Sequence, residues 1–264
     1  MHMPYRFLLI IALLLCVSGY ATAAGAPAAP PDDEARQILQ QVSEAYDAGD
    51  FDKARELLQP LAEKNNPYAT FALGLMAAQG QGGPHDLRAA ESWWQKSAEA
   101  GNPQAQFNLG LMYFRGDLGE EDMPRARALW ASAAEAGHPD ALYGLGILLL
   151  NGVGGPQDVV TGLRAFEAAA TAGHPLAEYE LGQAYIEGQG VKKDLKKGRD
   201  LLQRAADKGM PEAKAALEAL GPEEARPAKA QQKRSAQKPK PKPAEPPPPA
   251  EPQRPAINWG VLPQ

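Results

Sequence analysis

The sequence predicts an all-α protein, an α-solenoid of antiparallel helix pairs, on three observations. Pro67, Pro103, Pro139, Pro175 and Pro211 recur every 36 residues without slippage. Fixed positions follow the first four prolines. The first unit has Ala69, Leu73-Gly74, loop glycine Gly80 and Asp86; the fourth has Ala177, Leu181-Gly182, Gly188 and Asp194. Each unit closes on a glycine: Gly101, Gly137, Gly173 and Gly209. Self-similarity at such a period marks stacked units that bury a continuous core only together.

Taken in chain order, residues 1–23 read as an export signal. Arg6 supplies charge, Phe7 to Val17 an apolar run, and Ala21-Thr22-Ala23 a small-residue cleavage site. That run falls short of the roughly 20 residues a membrane span needs. Leu15 precedes Cys16, where a lipobox wants a small residue, so lipidation is not expected. Cleavage would remove the only cysteine, leaving no disulfide, thiol nucleophile or thiolate ligand. Residues 24–32 are a linker. Residues 33–66 form a helical hairpin turning at Ala48-Gly49-Asp50.

The repeats occupy 67–102, 103–138, 139–174 and 175–210, with a capping helix at 211–221. In each unit the proline opens the first helix, where its missing N–H has no partner to lose. The loop glycine lets the chain turn back at positive φ, and the aspartate caps the second helix. The closing glycine is an αL stop. Gly74, Gly110, Gly146 and Gly182 lie inside first helices at a cost of roughly 1 kcal/mol each. Close crossing by a second helix explains them. The bulky partners available are Trp93, Trp94, Trp130, Phe166 and Leu202. The second unit's loop, GDLGEED, departs from the pattern.

The pattern A-x-[FY]-x-L-G-x-x-Y-x-x-G-x-G, then Asp, then [LW]-W-x-[KS]-A-A-x-x-G, resembles the Sel-one-like repeats. These are relatives of the tetratricopeptide repeat, which residues 45–67 resemble more closely. The resemblance implies a superhelical scaffold. Exported relatives serve in envelope assembly or modulate membrane sensor kinases. Cysteine-rich relatives interact with β-lactams, a remote enzymatic alternative that the missing cysteines disfavour here.

No catalytic, cofactor or metal site is expected. The chain is not read as an enzyme. Gly144 and Gly146 fall within a helix, so they do not begin a phosphate-binding G-x-G-x-x-G loop. His138 and His174 share a slot with Asn102 and Met210, which reads as a capping position. Asp117, Glu120, Glu121 and Asp122 read as a solvated turn. Net charge is −5, yet residues 222–264 are net +4, so the repeat body is strongly acidic. That argues against a nucleic-acid partner.

A protein or peptide partner is expected on the concave face lined by first helices. The candidates are Phe71, Leu75, Phe107, Asn108, Leu111, Phe114, Tyr143, Ile147, Leu150 and Tyr179. The register shared by Phe71, Phe107, Tyr143 and Tyr179 also suits repeat-to-repeat core. Leu111, Phe114, Ile147 and Leu150 are the stronger candidates, because the ILLL run exceeds what a half-buried helix needs. Residues 222–256 lack large apolar side chains and are expected to be a disordered Pro/Lys-rich spacer, up to about 100 Å long at roughly 3.1 Å per residue. Residues 257–264, INWGVLPQ, turn apolar again, and Trp259 is their candidate docking residue. The expected role is a periplasmic interaction scaffold. The alternative is a protein bound to peptidoglycan or exopolysaccharide.

Overall fold

Local rules set the helix boundaries. Four first helices begin on the repeat proline and run for 13 residues: α3 Pro67–Gln79, α5 Pro103–Arg115, α7 Pro139–Asn151 and α9 Pro175–Glu187. Each stops on its loop glycine in the left-handed region, with φ between 65° and 79°. Four second helices follow the repeat aspartate: α4 Leu87–Glu99, α6 Met123–Glu135, α8 Val159–Thr171 and α10 Leu195–Asp207. Asp86, Asp122, Asp158 and Asp194 each accept a backbone N–H with the side chain, the N-cap geometry expected.

The computed structural model describes residues 33–221. The expected leader 1–23, linker 24–32, spacer 222–256 and peptide 257–264 with Trp259 lie outside the described residues. Among the described residues two helices precede the repeats, α1 Asp33–Asp47 and α2 Phe51–Glu63, and one follows them, α11 Pro211–Leu220. No strand occurs among the described residues, and no helix is long and apolar enough to cross a membrane. Each helix packs on the one before it and the one after it, which is the α-solenoid the repeat predicts.

The glycine crossings are present. A Cβ on Gly74 would overlap the indole of Trp94, and one on Gly110 would lie 2.6 Å from Trp130. At Gly146 the obstacle is Phe166, and at Gly182 it is Leu202 with the carbonyl of Gly198. Trp94 and Trp130 donate their indole N–H to the carbonyls of Phe71 and Phe107, at 3.3 and 3.1 Å, so each buried ring keeps a polar partner. Trp93 does not share this role. It is half-buried against the N-terminal hairpin's core, with the Lys96 ammonium 4.6 Å from its ring. The register of Trp130, Phe166 and Leu202 matches Trp94 alone. In the last two repeats the side chain shrinks to Phe166 and then Leu202, and a second glycine brings the helices into contact. Gly162 sits against the Gly146 carbonyl and Gly198 against the Gly182 carbonyl.

The divergent loop of the second repeat keeps the common frame. Asp117 N–H bonds to Met112 O and Asp122 N–H to Tyr113 O, as Gln81 to Met76 and Asp86 to Ala77 do in the first repeat. Leu118, where the first repeat has Gly82, packs its side chain into the neighbouring core. Its carbonyl accepts from Arg88 at 3.1 Å.

The ends differ from the middle. Tyr46 closes the N-terminal hairpin, buried edge-on to Phe51 with ring centroids 5.1 Å apart. At the other end Glu178 is wholly buried in α9, at a register held by Thr70, Gln106 and Leu142 in earlier repeats. Arg204 Nε donates to one of its oxygens at 2.8 Å, and Lys208 Nζ lies 2.7 Å from the other. The same cations reach the carbonyls of Ala170 and Gly173, tying α10 back to α8. In α11 only Ala213 is fully buried, and Glu218 stands where earlier repeats need glycine. Among the described residues no second helix follows to demand the space.

Candidate functional site

First-helix residues fall into three groups. Those facing the next repeat are buried. Phe71 is 7 % exposed, Tyr143 5 % and Ile147 5 %. The ILLL run is not surplus surface: Ile147, Leu148 and Leu149 are all buried, and only Leu150 is partly open. The burial comes from the partner helices on both sides, which the run's own composition does not reveal. The large hydrophobics most exposed among the described residues are instead Val160 and Leu195, at the starts of α8 and α10.

The second group packs within its own repeat. Phe114 lies 5.2 Å from the Trp130 ring, and Leu150 fills the crossing against Gly162. The third group is half-buried along the first-helix face: Leu75, Phe107, Asn108, Leu111 and Tyr179. Leu75 bridges two successive cores. Phe107 is stacked between Trp130 at 6.0 Å and His138 at 4.8 Å. Tyr179 packs on the C-terminal core, and its hydroxyl accepts from Gln183 at 3.2 Å.

The histidines cap helices. His138 Nδ1 accepts the Ala141 N–H at 3.3 Å and His174 Nδ1 accepts the Ala177 N–H at 3.2 Å. Each Nε2 reaches back to the first turn of the preceding first helix, His138 to Gln104 Oε1 at 2.9 Å and His174 to Asp140 Oδ1 at 3.1 Å. Asn102 does the same work with an amide, accepting from Gln104 and Ala105 while donating to Pro67 O. Burial pushes the His138 pKa down, with the Asp140 charge opposing and His174 adding. The hydrogen bond from His174 holds Asp140 below the usual carboxylate range. No group of three His, Cys, Asp or Glu suited to a metal occurs among the described residues.

A second concave feature lies between second helices. A cleft of about 870 Å³ runs between α4 and α6, lined by Arg88, Glu91, Lys96, Glu99 and Arg125 with Tyr113 and Leu129 beneath. Tyr113 donates to Glu91 at 2.9 Å and lies under the Arg125 guanidinium, 5.3 Å from it. Periodicity argued for the first helices alone, so sequence reasoning missed this cleft. The mixed charges at Arg88, Glu91 and Glu99 on one face of α4 were the available signal.

Comparison with known proteins agrees with this architecture. The Sel1 repeat model matches residues 67–102, 103–138, 139–174 and 175–210, and a tetratricopeptide repeat model matches 39–82. No curated protein matches the chain. A Sel1 repeat protein of Oxalobacter formigenes is 33 % identical with a TM-score of 0.61, covering 67 % of this chain and 73 % of its own. The protective antigen c5321 of uropathogenic Escherichia coli, which displays an SLR fold, has a TM-score of 0.65 at 22 % identity. That alignment covers 82 % of this chain but 49 % of the antigen, so the chain spans about half its length. Repeats of this kind are generally non-enzymatic and suggest a protein-interaction scaffold. On four contiguous repeat matches, the chain belongs to the Sel1 repeat family.

Proposed function

We propose that the protein is a periplasmic scaffold that binds a partner protein through its first-helix face, in envelope assembly or signalling. The half-buried row of Leu75, Phe107, Asn108, Leu111 and Tyr179 carries this reading. The first, second and fourth repeats hold these apolar and amide groups on successive first helices, which suits an extended or helical peptide better than a small molecule. The export-signal pattern at residues 1–23 supports the compartment.

The test places a photo-crosslinking residue at Leu111 and, separately, at exposed Ser132 on α6. A partner that crosslinks from position 111 and not 132 is expected to lose binding to purified Leu111→Glu protein, with helicity unchanged. Equal crosslinking from both positions, or full binding by Leu111→Glu, overturns the assignment of the face. A reporter fused after residue 221 that is active only in the cytoplasm overturns the compartment.

A further inference from the structure

The loop edge of the fourth repeat carries a patch that its sister units lack. Residues 191–199 hold four lysines and Arg199 against Asp194 alone, a net of +4, whereas the equivalent stretches 83–91, 119–127 and 155–163 are each net −1. Lys192, Lys193 and Lys196 are exposed, and their ammonium groups make no hydrogen bond or ion pair among the described residues. Lys197 is committed, its Nζ donating to the Tyr185 hydroxyl at 2.7 Å and lying 3.2 Å from Glu167 on α8. The acids nearby are committed too. Asp194 accepts the backbone N–H groups of Lys196 and Lys197, and Glu187 accepts from Gln189.

Two aliphatic side chains stand out of this charged edge. Leu195, between the lysines, is 54 % exposed, and Val160, at the register of Lys196 in the third repeat, is 59 % exposed. The backbone joins them in one surface. Gly190, at φ +67°, seats the lysine-bearing loop on the start of α8, so that a Cβ there would lie 2.8 Å from Val159 and 2.6 Å from Leu163. A single exposed aliphatic residue is ordinary, but these two coincide with the lysine cluster. An anionic bilayer accommodates both features. Each lysine near the headgroups adds to the attraction, its stem lets the ammonium stay at headgroup level, and aliphatic side chains enter the acyl boundary. An acidic protein surface would pair the cations without using the aliphatic pair.

We propose that the edge formed by Val160, Lys192, Lys193, Leu195 and Lys196 docks the protein on an anionic phospholipid bilayer. The edge goes beyond the scaffold reading and shares no residue with the first-helix row. The remaining acidic body is repelled by such a surface, which sets the orientation of the docked molecule.

Co-sedimentation of the full chain with vesicles tests this. One set is phosphatidylcholine alone, and the other replaces a third of it with phosphatidylglycerol. The protein should bind the charged vesicles at least about tenfold tighter, and added salt should weaken that binding. Lys192→Glu combined with Lys193→Glu should weaken it about tenfold or more, and Leu195→Ser severalfold, with unchanged circular dichroism. Lys53→Glu combined with Lys64→Glu makes the same change in net charge at exposed lysines of the N-terminal hairpin and should leave binding nearly as it was. Equal affinity for the two vesicle sets, equal loss in the two double variants, or no loss with Leu195→Ser overturns the docking edge and leaves the first-helix assignment standing. Binding of soluble polyglutamate as tight as that of the charged vesicles, and lost in the same double variant, assigns the edge to an acidic protein and overturns the bilayer.

Discussion

At the scale of single residues, Gly110 and Gly101 separate two reasons for a glycine. Gly110 sits in ordinary helical backbone with no room for a methyl group, whereas Gly101 has φ +82° and nothing within 4 Å. Gly110→Ala gains helix propensity but drives Cβ into a Trp130 ring that is 1 % exposed and pinned by its bond to Phe107 O. A net loss of about 2 kcal/mol is expected, with a changed near-ultraviolet circular dichroism spectrum. Gly101→Ala should cost about 1 kcal/mol from backbone strain and leave that spectrum alone. The need for Gly110 was legible, because four repeats show Leu-Gly at one register. The choice of Trp94 over Trp93 was also available, since only Trp94 aligns with Trp130, Phe166 and Leu202. The burial of Ile147 and Leu149 was not available. It depends on the neighbouring helices closing over both sides of α7.

At the scale of helices, start and stop signals decided nearly everything, because proline at the first position and glycine in αL act locally. What the sequence could not display was the chemistry of the caps between repeats. A histidine that accepts through Nδ1 works only while that nitrogen is unprotonated. Protonation of His138 would set an N–H against the Ala141 N–H at the positive end of a helix. Its folded pKa lies below the unfolded value of about 6.5, so the unfolded chain takes up the proton first. Stability is therefore fully present above about pH 6.5 and falls as pH drops through that value toward the folded pKa. The urea midpoint should be lower at pH 5.5 than at pH 7.5. His138→Asn, which copies the Asn102 cap, should reduce that difference. An equal difference in the variant would show that His138 is not the titrating group.

At the scale of the whole chain, the boundaries that open on Pro103, Pro139 and Pro175 are built from equivalent pieces: a proline, a capping side chain, a crossing glycine and an αL stop. Residues 139–174 should therefore be removable as a block. Pro175 would then follow His138, joining a helix-capping residue to a helix start as in the intact chain. The shortened protein is expected to remain helical and cooperative with a lower Tm. Removing 139–156, half a unit, should leave an unpaired second helix and abolish the cooperative transition seen by circular dichroism.

Among the residues that begin a helix after each closing glycine, Met210 alone offers no side-chain acceptor to the backbone. Helix α11 therefore starts on bare amides and buries a single residue fully, while its neighbour is clamped by Glu178. Breathing of the molecule has a preferred origin. Amide exchange should begin at residues 211–220 and stall at the ion-paired step, making α11 a hinge that opens without disturbing the wall behind it.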